Sequence, residues 1–217
     1  MMKEDFKWIG RELFVSGLID SHGGNMSVRD GDRIIITRRD AMLGRLEDGD
    51  LIEVGMEENA AADGEASREL VVHRAIYANT KAKAVVHAHP PNATAISISD
   101  NKIVPQDATG QYLLKSVSIV RANNPIASND VARILPQFLS DGSGIAAVKS
   151  HGTFAAGETL EEAYRYTSAL ELSSKILVAL RSTATSKPPQ QKQHQHRKAI
   201  PPSIGVMDRR DRRRYRR

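Results

Sequence analysis

The run Val85-Val86-His87-Ala88-His89-Pro90 decides how this chain is read. Two β-branched apolar residues lead into His-x-His, and a proline then ends the ladder. Side chains two apart along a strand share a face, so His87 and His89 project together. That is what one metal ion asks of neighbouring ligands. Two surface histidines at a strand end would be spelled the same way, so the rest of the chain has to decide.

Upstream, Ser67 is placed to cap a helix running from about Arg68 to Asn79, with Glu69 in its first turn, where the helix dipole favours an anion. His73 lies four residues on, on the same helix face, and reads as a core histidine or one that supports the site from behind. Downstream, Ile145 to Lys149 reads as a buried strand that delivers His151, and Gly152 lets backbone approach closely. A catalytic zinc usually has three protein ligands and an open position, and His151 is the best third imidazole. Towards the N-terminus, residues 2–16 pattern as an amphipathic helix with Phe6, Ile9, Leu13 and Phe14 on one face. Gly23-Gly24 marks a tight turn beside His22, and Arg33–Thr37 reads as a strand entered by a hairpin. Further strands are expected at 50–54, 116–121 and 154–157. Helices are expected at 91–97, at 128–139 with a break at Pro136, and from the Thr159 capping box to about Arg181. Short connections and hairpin signals favour one α/β domain with a mostly antiparallel or mixed sheet of seven or eight strands.

Composition narrows the chemistry. The 217 residues contain no cysteine, so disulfides and thiolate ligands are excluded and a metal must use His, Asp, Glu or water. No run is long and apolar enough for a membrane span or a signal-peptide core, and a cytoplasmic protein is expected. The formal net charge of +5 is uneven. From Lys187 onward eleven Lys or Arg face two Asp, whereas the preceding residues hold 20 basic against 24 acidic side chains. The basicity belongs to a Pro-containing extension over 183–217, which repeats His-x-His at His194 and His196 without a strand, and not to the domain over 1–182. The apolar stretch at 200–207 is expected to pack on an oligomer.

Four stretches in order, Gly24-Asn25-Met26-Ser27, Ser67-Arg68-Glu69 with His73, His87-Ala88-His89-Pro90 and Ser150-His151-Gly152, resemble the class II sugar-phosphate aldolase/epimerase family over about residues 5–182. The similarity is greatest to the L-fuculose-1-phosphate aldolase type found in archaea. The resemblance implies a three-layer α/β/α fold with a central, mainly antiparallel sheet of nine strands, and a homotetramer with sites between subunits. It implies one zinc per subunit on His87, His89 and His151, with Glu69 beside the metal, bound to it when substrate is absent and serving otherwise as general acid/base. It assigns phosphate binding to Asn25, Thr37 and Ser67, and would give a neighbouring subunit's acid to Tyr112. The substrate it implies is a ketose 1-phosphate cleaved to dihydroxyacetone phosphate and an aldehyde.

The chain departs from the family's pattern at the anion. Thr37-Arg38-Arg39-Asp40 stands where Thr-Pro-x-Gly is usual, and Arg68 where a second serine is usual. Arg38, Arg39 and Arg68 therefore become candidate anion contacts, since guanidinium groups suit phosphate or carboxylate. Pentulose-phosphate 4-epimerisation and methylthioribulose-phosphate dehydration are the neighbouring reactions, although Glu69 stands where the epimerase has Asp. A metal-holding scaffold that binds RNA through the basic extension is the alternative of another class, and the expected partner remains a small phosphorylated substrate and not nucleic acid.

Overall fold

The computed structural model describes residues 2–140 and 143–185. Of the extension expected over 183–217, residues 183–185 continue the last helix, and the rest, with His194, His196 and the apolar stretch at 200–207, lies outside the described residues. In chain order the elements are α1 (Met2–Val15), β1 (Asn25–Asp30), β2 (Arg33–Thr37), β3 (Leu51–Gly55), α2 (Ala60–Asp63), α3 (Leu70–Asn79), β4 (Ala84–Ala88) and α4 (Pro91–Ser99). They continue with β5 (Lys102–Ile103), α5 (Ala108–Leu113), β6 (Val117–Val120), α6 (Asn129–Ile134), α7 (Pro136–Leu139), β7 (Ile145–Val148), β8 (Gly152–Gly157) and α8 (Leu160–Thr185). No helix among the described residues is long and apolar enough to cross a membrane.

The strands form one sheet in the order β3-β2-β1-β4-β8-β7-β6-β5. Of these pairings β6–β7 is parallel and the others are antiparallel. The sheet is thus mixed and mainly antiparallel, as expected, with eight strands among the described residues where the resemblance implied nine. β4 runs inside the sheet between β1 and β8, and all five of its residues are buried. Strict alternation divides its side chains. Ala84, Val86 and Ala88 enter an apolar layer with Phe6, Ile9 and Leu13 of α1, Ala93 and Ile96 of α4, and Leu170 of α8. Val85 enters the opposite layer with Ile76 and Tyr77 of α3, Val131 of α6, Leu139 of α7 and Phe154 of β8. Two apolar faces covered by helices make a three-layer α/β/α domain.

Several local signals act as the sequence says. Ser128 caps α6 by accepting from the Val131 N–H at 3.2 Å, and Pro136 occupies the first turn of α7, so one expected helix becomes two. Phe14 differs from expectation and is 46% exposed, because it stands about 100° round the helix from buried Leu13. Helix α3 starts at Leu70 and not at Arg68, and Glu69 occupies its cap position. The Ser67 hydroxyl accepts from the Glu69 N–H at 3.3 Å, so Ser67 shapes the turn that presents Glu69 without capping the helix interior. At the other flank, buried Glu171 of α8 accepts from the Asn92 and Ala93 N–H groups, both at 3.1 Å, and from the Asn92 amide at 2.7 Å. An anion at this helix start fixes α4 directly behind His89-Pro90.

Arg74 ties α3, which carries the acid, to the sheet edge. Its guanidinium donates to Asp63 at 2.6 and 2.8 Å and to the Gly55 and Glu57 carbonyls at 2.7 and 2.8 Å. Hydrogen bonds to a charged group contribute about 1.5–3 kcal/mol, and removing the donor strands the acceptors. Arg74→Ala should lower unfolding free energy by about 2 kcal/mol, read from the midpoint of a urea titration.

Candidate metal centre and cleft

The site lies at the His89 end of β4, where three backbone segments meet. The register sets Asn25 of β1 and Phe154 of β8 on either side of His87. Phe154 stacks on the His87 ring at a centroid distance of 4.1 Å and an interplanar angle of 21°, which fixes the plane of the imidazole. His87 Nδ1 donates to the Thr153 carbonyl at 2.9 Å, so Nε2 carries the lone pair. The Nε2 atoms of His87 and His89 lie 3.0 Å apart, and the ligand atoms of His87, His89 and His151 all lie within 4.8 Å of one another. The same-face argument for His-x-His therefore holds, and His151 joins the pair.

Small residues allow this approach. A Cβ at Gly24, whose φ is +77°, would stand 2.7 Å from the His87 carbonyl oxygen, and one at Gly152 would strike the Ala88 carbonyl and lie 2.7 Å from the His89 ring. Ser150, just before His151, has φ +62°, a conformation that places the ring at the site despite its steric cost.

Glu69 is 4% exposed and stands 3.8 Å from His151 Nε2. Its Oε1 accepts from the Ala127 N–H at 2.9 Å, whereas Oε2 is buried with no hydrogen-bond partner among the described residues. Ala127 itself has φ +47°, so a strained backbone aims that N–H. Burial pushes the Glu69 carboxyl up to about 7 against the pull of the Ala127 N–H. Burial also pushes His151 down to about 4 and His87 well below its ordinary value, and it lowers His89. The imidazoles are neutral at pH 7, the form that ligates metal. Three convergent neutral nitrogens next to an orphaned carboxylate oxygen fit a divalent ion with an open position.

A cleft of about 260 Å³ opens from these groups, lined by His22, Gly23, Gly24, Asn25, Arg38, Arg39, Asp40, Ser67, Arg68, Glu69, His87, His89, Ile126, Ala127 and His151. Asn25, Ser67 and all three candidate arginines are thus brought to the site. Two of the arginines are already engaged. Arg38 donates to Asp50 at 2.7 Å, and Arg68 to Asp40 at 3.2 Å, with Asp40 at φ +58°. Thr37 is behind the cleft, 1% exposed, with its hydroxyl accepting from the Met26 N–H at 3.2 Å. Tyr112 lies on α5, 82% exposed, and does not line this chain's own cleft. Ile126 and Ala127 come from a loop without any motif. Only a left-handed residue preceding the Ser128 cap marks it, and that is not visible in the residue types.

This packing has two measurable consequences. Gly152→Ala should cost about 1–3 kcal/mol by overpacking and lower divalent-metal affinity by displacing His89, as read by thermal melting and equilibrium dialysis. The buried imidazoles also set an acid limit. His73 and His151 are depressed to about 3 and about 4 from an ordinary 6.5. The unfolded chain takes up protons below 6.5 and the folded chain does not, so the stability they provide is whole above pH 6.5 and is lost as pH falls towards their folded values. Glu69 runs the other way, since a carboxyl raised from 4.5 to about 7 loses its contribution as pH rises across that window. In metal-free protein Tm should fall from about pH 7 to about pH 5, and Glu69→Gln, by removing the opposing contribution, should steepen the fall.

Residues 4–178 match the family described as the class II aldolase and adducin N-terminal domain. An L-fuculose phosphate aldolase of Methanococcus maripaludis strain C7 is 32% identical over 150 residues, 69% of this chain and 81% of that one. A 3-oxo-tetronate 4-phosphate decarboxylase of Haemophilus influenzae is 31% identical over 186 residues, 82% of this chain and 87% of that one. The crystal structure of an L-fuculose-1-phosphate aldolase from Thermus thermophilus superposes with a TM-score of 0.82 at 35% identity, covering 86% of this chain and 97% of that one. Fold, ordered motifs and matched length agree, and the chain belongs to the class II aldolase and adducin N-terminal domain family.

Proposed function

We propose that this protein is a zinc-dependent, cytoplasmic aldolase that reversibly cleaves a ketose 1-phosphate to dihydroxyacetone phosphate and an aldehyde. It acts as a homotetramer with its sites between subunits. The observation that carries the reading is Glu69: a buried carboxyl with one oxygen unpartnered, beside three neutral imidazoles, and poised near neutrality. Zinc on His87, His89 and His151 would polarise the ketone and its neighbouring hydroxyl as a Lewis acid. The chain's own groups do the rest. Asn25 and Ser67 bind the phosphate at the inner cleft wall. When the carbon–carbon bond breaks, its electron pair stays on the carbon next to the ketone, and protonated Glu69 delivers a proton there. In the synthetic direction the Glu69 carboxylate removes that proton. The Ala127 N–H holds Glu69 in place and leaves Oε2 free for the transfer. Tyr112 of a neighbouring copy is the group we assign to take the proton of the hydroxyl that becomes the aldehyde, and to return it in the synthetic direction.

A second reading is favoured by Arg39 and Arg68 at the cleft, the latter giving Asp40 only one of its five N–H donors. They could hold a carboxylate in addition to the phosphate, as decarboxylation of a 3-oxo acid phosphate requires. Carbon dioxide would then leave in place of the aldehyde, and Glu69 would return a proton to the same carbon.

Glu69→Gln should keep bound zinc and lose about 10²–10⁴ in turnover; full activity in that variant would remove the acid/base role. Zinc-loaded protein offered phosphorylated ketoses should release dihydroxyacetone phosphate. Release of carbon dioxide from a 3-oxo acid 4-phosphate, with no ketose cleaved, would decide for the second reading.

A further inference from the structure

Behind Asn25 lies a buried polar line that the reaction does not use. His73 is fully buried in the layer between α3 and the sheet, with its ring edge towards Phe154 at a centroid distance of 6.1 Å. Its Nε2 is 2.6 Å from Asn25 Oδ1, its Nδ1 is 2.6 Å from Ser27 Oγ, and Ser27 Oγ is 2.7 Å from Tyr77 Oη. Polar atoms this short and this dry are costly unless every proton has an acceptor.

The protons can be counted along the line. Asn25 Oδ1 can only accept, so His73 Nε2 donates to it, and in the neutral ring Nδ1 is then an acceptor. Ser27 has one proton, and it goes to His73 Nδ1. Ser27 Oγ, its own proton spent, accepts from the Tyr77 hydroxyl. With its oxygen so engaged, the Asn25 amide must turn its NH₂ outward. Asn25 lines the cleft, and its nitrogen makes no hydrogen bond among the described residues.

We propose that Tyr77, Ser27 and His73 form a fixed-polarity relay whose work is to hold Asn25 as a hydrogen-bond donor to the substrate's phosphate, making His73 a positioning residue for the anion. A relay of the opposite polarity would place Oδ1 in the cleft and repel an anion. The proposal rests on the reading of Asn25 as a phosphate contact. It extends that reading to three buried residues that cannot touch substrate.

The test has two arms on zinc-loaded, full-length protein. In the first, ¹⁵N NMR of the His73 ring should show a neutral ring protonated at Nε2 throughout about pH 6–8. Protonation at Nδ1 would overturn the relay whatever the substrate proves to be. In the second, calorimetric binding of dihydroxyacetone phosphate is measured in a double-mutant cycle. Ser27→Ala should weaken binding about tenfold, equivalent to about 1.4 kcal/mol, and Tyr77→Phe, which keeps the ring and its packing, less. Ser27→Thr, which returns the hydroxyl, should recover the affinity. In an Asn25→Ala background the Ser27→Ala change should add less than about twofold. Equal losses in both backgrounds would show that Ser27 acts by general packing and would overturn the proposal. Asn25→Ala without effect on binding would remove the phosphate reading of Asn25, and the proposal with it, even with the Nε2 tautomer in place.

Discussion

The site depends on the register of β4 between β1 and β8. Asn25, His87 and Phe154 stand in one row across three strands. A slip of one residue in β4 would turn its whole side-chain set over. His87 would then enter the aliphatic layer under α1 and α8, and Val86 would take its place against Phe154. The apolar demand of two buried faces therefore sets the position of a metal ligand. The same face of the sheet carries the relay from Tyr77 to Asn25, because Ser27, two residues along β1 from Asn25, lies opposite Val85.

Desolvation then sets the chemistry. Burial holds the imidazoles neutral and lifts Glu69 to about 7, opposite shifts with one cause, since each disfavours the charged form. A cluster of neutral nitrogens can accept a cation without first losing protons. A carboxyl near neutrality can both give and take a proton at physiological pH. The Ala127 N–H limits the rise, and it also leaves one oxygen of Glu69 free.

Backbone strain surrounds these groups. Asp40, Ala127 and Ser150 are non-glycine residues in the left-handed region, and each borders the cleft or precedes a ligand. Such conformations cost on the order of 1–3 kcal/mol apiece and persist where neighbours over-determine them. Here the Arg68–Asp40 pair and the Ala127–Glu69 hydrogen bond help to hold them. Arg38, by contrast, is turned to Asp50, so its guanidinium serves first to join β2 to the segment before β3.

Residue order alone specifies what is periodic or local. Alternation within Val85–Pro90 put His87 and His89 on a shared face, the buried strand before Ser150 marked His151, and turn and cap residues bounded most helices. The ordered motifs pointed to the family and to Glu69. What depends on distance across the fold was settled by packing. It turned Thr37 inward to the Met26 N–H, aligned Ser27, His73 and Tyr77 from two elements into one line, and brought the Ala127 N–H to Glu69 from a loop with no signature. The physical reason is that a residue's type states which hydrogen bonds it can make, whereas packing two helical layers on one twisted sheet decides which partner arrives.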